Sequence, residues 1–183
     1  MIISLSGYMG AGKTSIGRQL AEYLQWDFVD LDDFITRFYN KTPADIIRQH
    51  DERALRIAEN RALNQLLVER DNIVLALGGG TLTEVFNQRL IDTYTFHIFI
   101  DTPPELIKRH LQHNAGDRPL WINDEHERSR HYQQRLPAYR KARLIFSNTY
   151  DSPESATNAL IKLLSETPQI KIPKNNKPRN DIR

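Results

Sequence analysis

Short runs of apolar residues alternate along this chain with longer segments in which apolar residues recur every three or four positions. The short runs predict five strands, at residues 2–5, 26–29, 73–77, 96–100 and 144–146. The periodic segments predict helices at residues 15–24, 53–69, 104–111 and 154–164. Strands separated by helices of this length form a parallel sheet with helices on both faces. We therefore predict a three-layer α/β/α fold around a five-stranded parallel sheet.

The same pattern divides the chain into one domain and a tail. A chain of 183 residues has room for one domain of this type, which we place at residues 1–167. Residues 112–127 are polar and longer than a usual connection, which is typical of a disordered loop or of a lid over a binding site, and we predict a lid. Residues 168–183 are basic and interrupted by prolines, and we expect them to be disordered.

Composition excludes several classes of protein. The chain has no cysteine, which excludes disulfide frameworks and thiolate zinc sites. It has neither a secretory signal nor a run of about 18 apolar residues, so we predict a cytoplasmic protein without a membrane partner. Residues 168–183 contribute +4 to the net charge of +2, so the rest of the chain carries a net charge of −2. Because this tail has no aromatic residue to stack on bases, we expect no nucleic-acid partner.

The stretch "GYMGAGKTS", residues 7–15, follows the first predicted strand and opens the first predicted helix. That context is the one in which the pattern G-x-x-x-x-G-K-[ST] forms a phosphate-binding P-loop. Glycines let successive N–H groups converge on phosphate oxygens, and the helix N-terminus adds partial positive charge. Lys13 would reach the outer phosphates and the Thr14 hydroxyl would bind Mg²⁺. The stretch predicts a nucleotide-binding protein.

Two acidic residues follow the second predicted strand, in "FVDLDDFI". Asp30 and Asp32 are two positions apart, so in extended backbone their side chains share a face. One carboxylate could support a metal ion while the other accepts a proton from an attacking hydroxyl. The alternative is that Asp30 caps a helix, with Asp33 in its first turn.

A glycine triplet, Gly78 to Gly80, follows the third predicted strand. It either lets the backbone approach a ligand closely or forms a tight turn without a functional role. Many P-loop ATPases and GTPases carry a metal-binding aspartate on this strand, where the present chain has Ala76 and Leu77. The absence of that carboxylate argues against those classes and assigns the metal-binding role to Asp30.

Three arginines are candidates for binding anions. Arg56 lies in a predicted helix of partly buried character, although an exposed pair with Glu59 would also account for it. Arg118 lies in the predicted lid and could close onto the phosphates. Arg135 lies in "RLPAY", where Pro137 would kink or end the preceding helix.

Taken together, the ordered motifs resemble the shikimate kinase family over residues 2–164. The resemblance implies a P-loop NTPase fold like that of nucleoside monophosphate kinases, and a monomer. It also implies ATP-dependent, Mg²⁺-assisted phosphorylation of the 3-hydroxyl of shikimate, in the pathway to chorismate and the aromatic amino acids. The motifs that carry it are "GYMGAGKT", "FVDLD", "E-x-x-L-R-x-x-E" from Glu52 to Glu59, "GGGT", "RPL" and "RLPAY".

The resemblance assigns roles to individual residues. Asp32, Lys13 and Arg118 would be catalytic, Thr14 would bind Mg²⁺, and Asp30 would support the ion through water. ATP would be bound by Gly10, Ala11, Gly12, Lys13, Thr14, Ser15, Arg118 and Arg109. Shikimate would be bound by Asp32, Arg56, Gly78, Gly79, Gly80 and Arg135.

The chain departs from the family pattern at three positions. Leu55 stands where the family often has phenylalanine, and Asp51 where it often has glycine. Tyr150 lies in a loop where many members carry an arginine near adenine, and a tyrosine can stack on adenine instead. Two alternatives are another small-metabolite kinase, such as a gluconate kinase, and a non-catalytic ATP-binding module.

Overall fold

In a computed structural model, which describes residues 1–113, 124–168 and 170, five parallel strands form a single sheet. The predicted strands are confirmed to within one residue at each end. The strands are β1 (Ile2–Ser6), β2 (Asp27–Asp30), β3 (Ile73–Ala76), β4 (Phe96–Asp101) and β5 (Leu144–Ser147).

The strands lie in the order β2-β3-β1-β4-β5, so the first strand is central. Its neighbours are in register with it, Leu5 lying opposite Ala76 of β3 and Ile98 of β4. Because all five strands run in the same direction, the segments that follow them meet at one edge of the sheet. That edge carries the phosphate loop, the two acidic residues and the glycine triplet.

Eight α-helices and one short 3-10 helix, Thr81–Thr83, surround the sheet in the described part of the chain. The four predicted helices are confirmed. The α-helices are α1 (Lys13–Leu24), α2 (Leu31–Tyr39), α3 (Pro43–Gln49), α4 (Glu52–Glu69), α5 (Val85–Tyr94), α6 (Pro104–His113), α7 (Glu125–Tyr139) and α8 (Pro153–Ser165).

Four helices, α2, α3, α5 and α7, were not predicted, and each begins at a side chain that caps its N-terminus. The Asp30 side chain caps α2 by accepting a hydrogen bond from the backbone N–H of Asp32. Thr42 and Asp45 form a capping box at the start of α3, with Pro43 at the first helical position. These caps satisfy N–H groups that a short helix otherwise leaves without partners.

Each face of the sheet carries its own hydrophobic core. On one face, Ile3, Leu5 and Ile98 pack with α1 and α8. On the other face, Ile73, Leu75 and Phe99 pack with α2, α3, α4, α5 and α7. The predicted three-layer arrangement is therefore confirmed.

The predicted lid overlaps two helices. Residues 112 and 113 end α6, and residues 125–127 begin α7, so these parts were wrongly predicted as loop. Residues 114–123 lie outside the described residues. Pro137 lies inside α7, which ends two residues later at Tyr139.

Of the predicted tail, the structure describes Pro168 and Ile170, and the rest lies outside the described residues. The Ile170 side chain is buried in the core beside α1 and α8. Across the described residues, no helix combines the length and apolar character that crossing a membrane requires.

Buried polar side chains connect β1 to β4 within the second of these cores. The hydroxyl groups of Ser4 and Thr95 lie 2.7 Å apart, and His97 Nε2 lies 2.7 Å from Ser6 Oγ. The other ring nitrogen of His97, Nδ1, has no hydrogen-bond partner among the described residues and lies 3.9 Å from Asp92 Oδ1. Burial lowers the pKa of His97 to about 4.

The buried imidazole predicts a loss of stability in acid. In the unfolded chain His97 has a pKa of about 6.5, so the unfolded state binds the proton more tightly. The stabilising contribution is complete above that pH and is lost as the pH falls towards 4, by up to about 1.4 kcal/mol per pH unit. Urea unfolding across this range should give a flatter pH dependence for His97→Gln than for the wild type. Equal slopes would contradict the prediction.

Candidate active site

A cleft of about 1270 Å³ opens along the edge where the five strands end. Its walls come from segments far apart in the sequence, which the parallel sheet brings together. The residues on these walls include Gly10, Gly12, Lys13, Thr14, Ser15, Asp30, Asp32, Arg56, Gly78, Gly79, Gly80, Arg135, Asn148 and Tyr150.

The phosphate loop has the backbone that the glycine pattern predicts. Gly7, Gly10 and Gly12 all have positive φ, at 147°, 80° and 95°. A Cβ at Gly7 would lie 2.7 Å from the carbonyl oxygen of Ile100, so that position has no room for a side chain. Helix α1 begins directly after Gly12, so its first N–H groups lie at the cleft. This arrangement suits an anion.

The side chain of Lys13 lies over this loop. Its Nζ donates hydrogen bonds to the carbonyl oxygens of Gly7, at 2.9 Å, and Tyr8, at 3.0 Å. These contacts hold the positive charge at the mouth of the loop, where the outer phosphates of a nucleotide would lie.

Thr14 and Asp30 are in direct contact. The Thr14 hydroxyl donates to Asp30 Oδ2 at 2.9 Å, while Asp30 Oδ1 accepts the capping bond from Asp32 N. Asp30 therefore both caps α2 and turns a carboxylate oxygen towards Thr14. A hydroxyl and a carboxylate are ligands that fit Mg²⁺, which usually takes one or two protein groups together with phosphates and water.

Asp32 is open to the cleft, yet protein atoms surround it and reduce its solvation. This loss of solvation is the largest of the effects that raise the pKa of Asp32 to about 6, followed by the charges of Asp30 and Glu59. Lys13 acts in the opposite direction. A carboxylate with such a pKa can accept a proton near neutral pH and release it again.

Arg56 lies in a network of ion pairs. Its Nη1 donates to both carboxylate oxygens of Glu59 at 2.7 Å, and its Nη2 donates to Glu52 Oε1 at 2.6 Å. The Glu59 side chain is 1% exposed and also accepts a hydrogen bond from the hydroxyl of Thr81. The sequence left two interpretations open for Arg56, a partly buried position and an exposed pair with Glu59. The two residues do pair, but both side chains are largely buried, so the exposed alternative is wrong.

The glycine triplet lies against the charged side chains. A Cβ at Gly80 would lie 2.1 Å from Arg56 Nη2, and one at Gly78 would lie 3.0 Å from Asp32 Oδ1. A Cβ at Gly79 would lie 3.4 Å from Arg135 Nη1. The turn is therefore more than a tight connection, since its lack of side chains lets two guanidinium groups and a carboxylate approach the backbone.

Two predicted residues, Arg109 and Ala11, are described but are not among the residues that line the cleft. Arg109 Nη1 binds Asp151 Oδ1 at 2.9 Å, which places Arg109 beside the loop that follows β5. In that loop Tyr150 lines the cleft and its ring stacks on Phe146, with centroids 6.2 Å apart. Arg118 lies outside the described residues. Ala11 is part of the phosphate loop, and its side chain is buried.

Sequence reasoning missed several side chains that support the site. His131 Nδ1 lies 3.0 Å from the hydroxyl of Tyr8, and His110 Nδ1 lies 3.0 Å from the carbonyl oxygen of Gly10. Tyr139 donates its hydroxyl hydrogen to the carbonyl oxygen of Gly79. Glu59 had a visible signal, because it lies on the same helix face as the apolar residues Leu55 and Ala62. Tyr139 ends the motif "RLPAY" but was given no role of its own. The two histidines had no signal, since their partners are remote in the sequence.

Comparison with known proteins identifies the family. A family model described as shikimate kinase matches residues 9–165. A shikimate kinase of Thermus thermophilus is 34% identical over 164 residues, which cover 88% of this chain and 89% of that protein. The chain belongs to the shikimate kinase family.

Solved structures of shikimate kinases share this fold. The structure from Bacteroides thetaiotaomicron matches with a TM-score of 0.82 at 28% identity, covering 90% of this chain and 98% of that one. The structure from Acinetobacter baumannii, described as a complex with shikimate, matches with a TM-score of 0.79 at 31% identity, covering 91% and 94%. The resemblance drawn from the motifs is confirmed, and the chain is an enzyme, a kinase of the shikimate kinase family.

The two glutamates that bind Arg56 differ in burial, which gives a test of the network. Glu59→Gln should lower the free energy of unfolding by about 3 kcal/mol, because it removes the charge that pairs with a largely buried guanidinium. Glu52→Gln is the matched control. The Glu52 side chain is 62% exposed, and its loss should lower stability by less than about 1 kcal/mol. Equal effects in urea unfolding would show that burial does not separate the two pairs.

Proposed function

We propose that this protein transfers the γ-phosphoryl group of ATP to the 3-hydroxyl of shikimate. The observation that carries the proposal is that one cleft contains a phosphate loop, a carboxylate with a raised pKa and two arginines that flank a glycine turn. Phosphoryl transfer needs this combination of positioning and charge more than it needs covalent chemistry. Membership of the shikimate kinase family supports the choice of substrate.

The phosphate loop binds the triphosphate of ATP. Its N–H groups and the start of α1 contact the phosphates, and Lys13 neutralises charge that develops on the transferred group. Arg109 and Tyr150 bind at the adenine end of the cleft, and Arg118 acts on the phosphates from the predicted lid. The loop residues in this role are Gly10, Gly12, Lys13, Thr14 and Ser15, whereas the N–H of Ala11 donates within the loop, to the carbonyl oxygen of Tyr8 at 3.0 Å.

Mg²⁺ is held by the Thr14 hydroxyl and, through water, by Asp30. Because their oxygen atoms lie 2.9 Å apart, both groups can reach one ion at the side of the phosphate loop. A bound Mg²⁺ would supply positive charge that offsets the negative charge of the phosphates.

The acceptor end of the cleft suits a small acid with several hydroxyl groups. The guanidinium groups of Arg56 and Arg135 bind the carboxylate of shikimate, since a guanidinium offers two parallel donors to a carboxylate. The glycine turn, Gly78, Gly79 and Gly80, lets the hydroxylated ring of shikimate come close to the backbone. Asp32 accepts a hydrogen bond from the 3-hydroxyl and takes its proton as the oxygen attacks phosphorus. Closure of a lid over the site would keep water from competing as acceptor.

The first test is ATP turnover in a coupled assay that measures ADP formation in the presence of Mg²⁺, with and without shikimate. We expect ADP formation to depend on shikimate. Turnover with gluconate or another polyol in its place would move the protein to a different kinase reaction. Tight ATP binding without turnover on any acceptor would favour the non-catalytic module.

The role of Asp32 gives a second prediction. Asp32→Asn retains the shape of the side chain but cannot accept a proton, so kcat should fall by at least about a hundredfold. ADP affinity, measured by calorimetry, should change little. Asp33→Asn, one residue further along α2, is the matched control and should retain turnover. Near-normal turnover of Asp32→Asn would show that another group is the base.

A further inference from the structure

Two buried polar side chains lie directly beneath the phosphate loop and have no role in the chemistry described so far. Thr102 follows the last residue of β4, and Asn148 follows the last residue of β5. Thr102 is 2% exposed and Asn148 is 1% exposed. A buried polar side chain stabilises a fold only when its hydrogen bonds are made, so the partners of these two residues indicate what they do.

Both side chains bind the same carbonyl group. Thr102 Oγ1 donates to the carbonyl oxygen of Ala11 at 2.9 Å, and Asn148 Nδ2 donates to the same oxygen at 3.3 Å. Asn148 Nδ2 also donates to Thr102 Oγ1 at 3.1 Å. The three groups form a closed triangle, so the direction of the Ala11 carbonyl is fixed from two sides.

Fixing this carbonyl also fixes the next N–H group. The peptide unit is planar, and in its trans form the carbonyl of one residue points away from the N–H of the next. All peptide bonds in the described residues are trans. The Ala11 carbonyl points into the protein, so the N–H of Gly12 points the opposite way, towards the cleft that Gly12 lines.

Asn148 makes a second connection. Its Oδ1 accepts a hydrogen bond from the backbone N–H of Tyr150 at 3.4 Å, and its own backbone N–H donates to the carbonyl oxygen of Asp101 at 2.8 Å. The same side chain therefore binds the phosphate loop through its nitrogen and the loop with Tyr150 through its oxygen. Tyr150 also lines the cleft.

We propose that Thr102 and Asn148 are positioning residues for the nucleotide, a role that rests on the proposed binding of ATP in this cleft. Together they aim the Gly12 N–H at the phosphates, and Asn148 holds the loop with Tyr150 at a fixed distance from the phosphate loop. Neither side chain contacts the acceptor end of the cleft. Their loss should therefore weaken nucleotide binding and leave the affinity for shikimate unchanged.

Thr102→Val tests the proposal, because valine keeps the shape of threonine and removes the hydroxyl. We expect the KM for ATP and the Kd for ADP to rise about tenfold, equivalent to about 1.4 kcal/mol. The KM for shikimate should stay within about twofold of the wild type. Thr102→Ser retains the hydroxyl and should restore nucleotide affinity. Asn148→Leu should raise the same two nucleotide constants.

Thr95→Val is a matched control at the opposite end of the same strand. Thr95 is also buried, and its hydroxyl donates to a backbone carbonyl, that of Ile91, at 2.8 Å. It should lower the melting temperature as Thr102→Val does but leave the Kd for ADP unchanged.

The outcomes separate this proposal from the proposed function. A wild-type protein that binds no ADP would remove the basis of both. Shikimate-dependent turnover in the wild type, with equal nucleotide constants in Thr102→Val and Thr95→Val, would overturn the positioning role alone. A rise in the KM for shikimate equal to that for ATP would also overturn it, since it would indicate a general loss of structure. Should Asn148→Leu fail to fold, the two Thr102 variants still decide the question.

Discussion

A loop that binds phosphate through its N–H groups must turn its carbonyl groups away from the anion, and each carbonyl then needs a donor. In this protein the donors come from helices α1 and α6 and from the residues that follow β4 and β5. Lys13 binds two carbonyls of the loop, His110 lies at the carbonyl of Gly10, and Thr102 and Asn148 bind that of Ala11. The parallel sheet supplies Thr102 and Asn148, because β4 lies beside β1 and β5 lies beside β4. These carbonyl groups of the loop therefore have donors within the protein, and the N–H groups that face the cleft stay available to a ligand.

The acceptor end of the cleft depends on a balance of charge. Asp30, Asp32 and Glu59 raise the local negative potential, and their proximity is part of what raises the pKa of Asp32. Arg56 offsets this by pairing with Glu59, yet it still lines the cleft. Because Glu59 holds the guanidinium through Nη1, the orientation of Arg56 is set by the fold before any ligand contributes. Such pre-organisation reduces the entropy lost when a small acid binds.

The sequence predicted those features of the structure that depend on residues close together in the chain. The strands follow from short apolar runs, and the phosphate loop follows from glycines at positive φ values that other residues rarely adopt. Helix α7 was not predicted from apolar periodicity because it is largely polar, and its packing depends on few residues such as Leu136 and Tyr139. The partners of Ala11 could not be found this way, since they lie 91 and 137 positions away in the chain. Only the strand order makes them neighbours.

Strand order also explains how the site works without an aspartate on the third strand. β2 lies beside β3, and their register places Asp30 directly opposite Ala76, the last residue of β3. A carboxylate on the second strand therefore stands at the same height along the sheet as one on the third, displaced sideways by about 5 Å, the spacing between strands. Thr14 reaches it at 2.9 Å from the start of α1. The glycine turn that follows β3 and Leu77 leaves room for the side chains of Arg56 and Arg135. In the proposed reaction, the carboxylate that supports the metal ion and the glycine turn beside the acceptor therefore come from neighbouring strands, and both lie at the edge of the sheet that carries the phosphate loop.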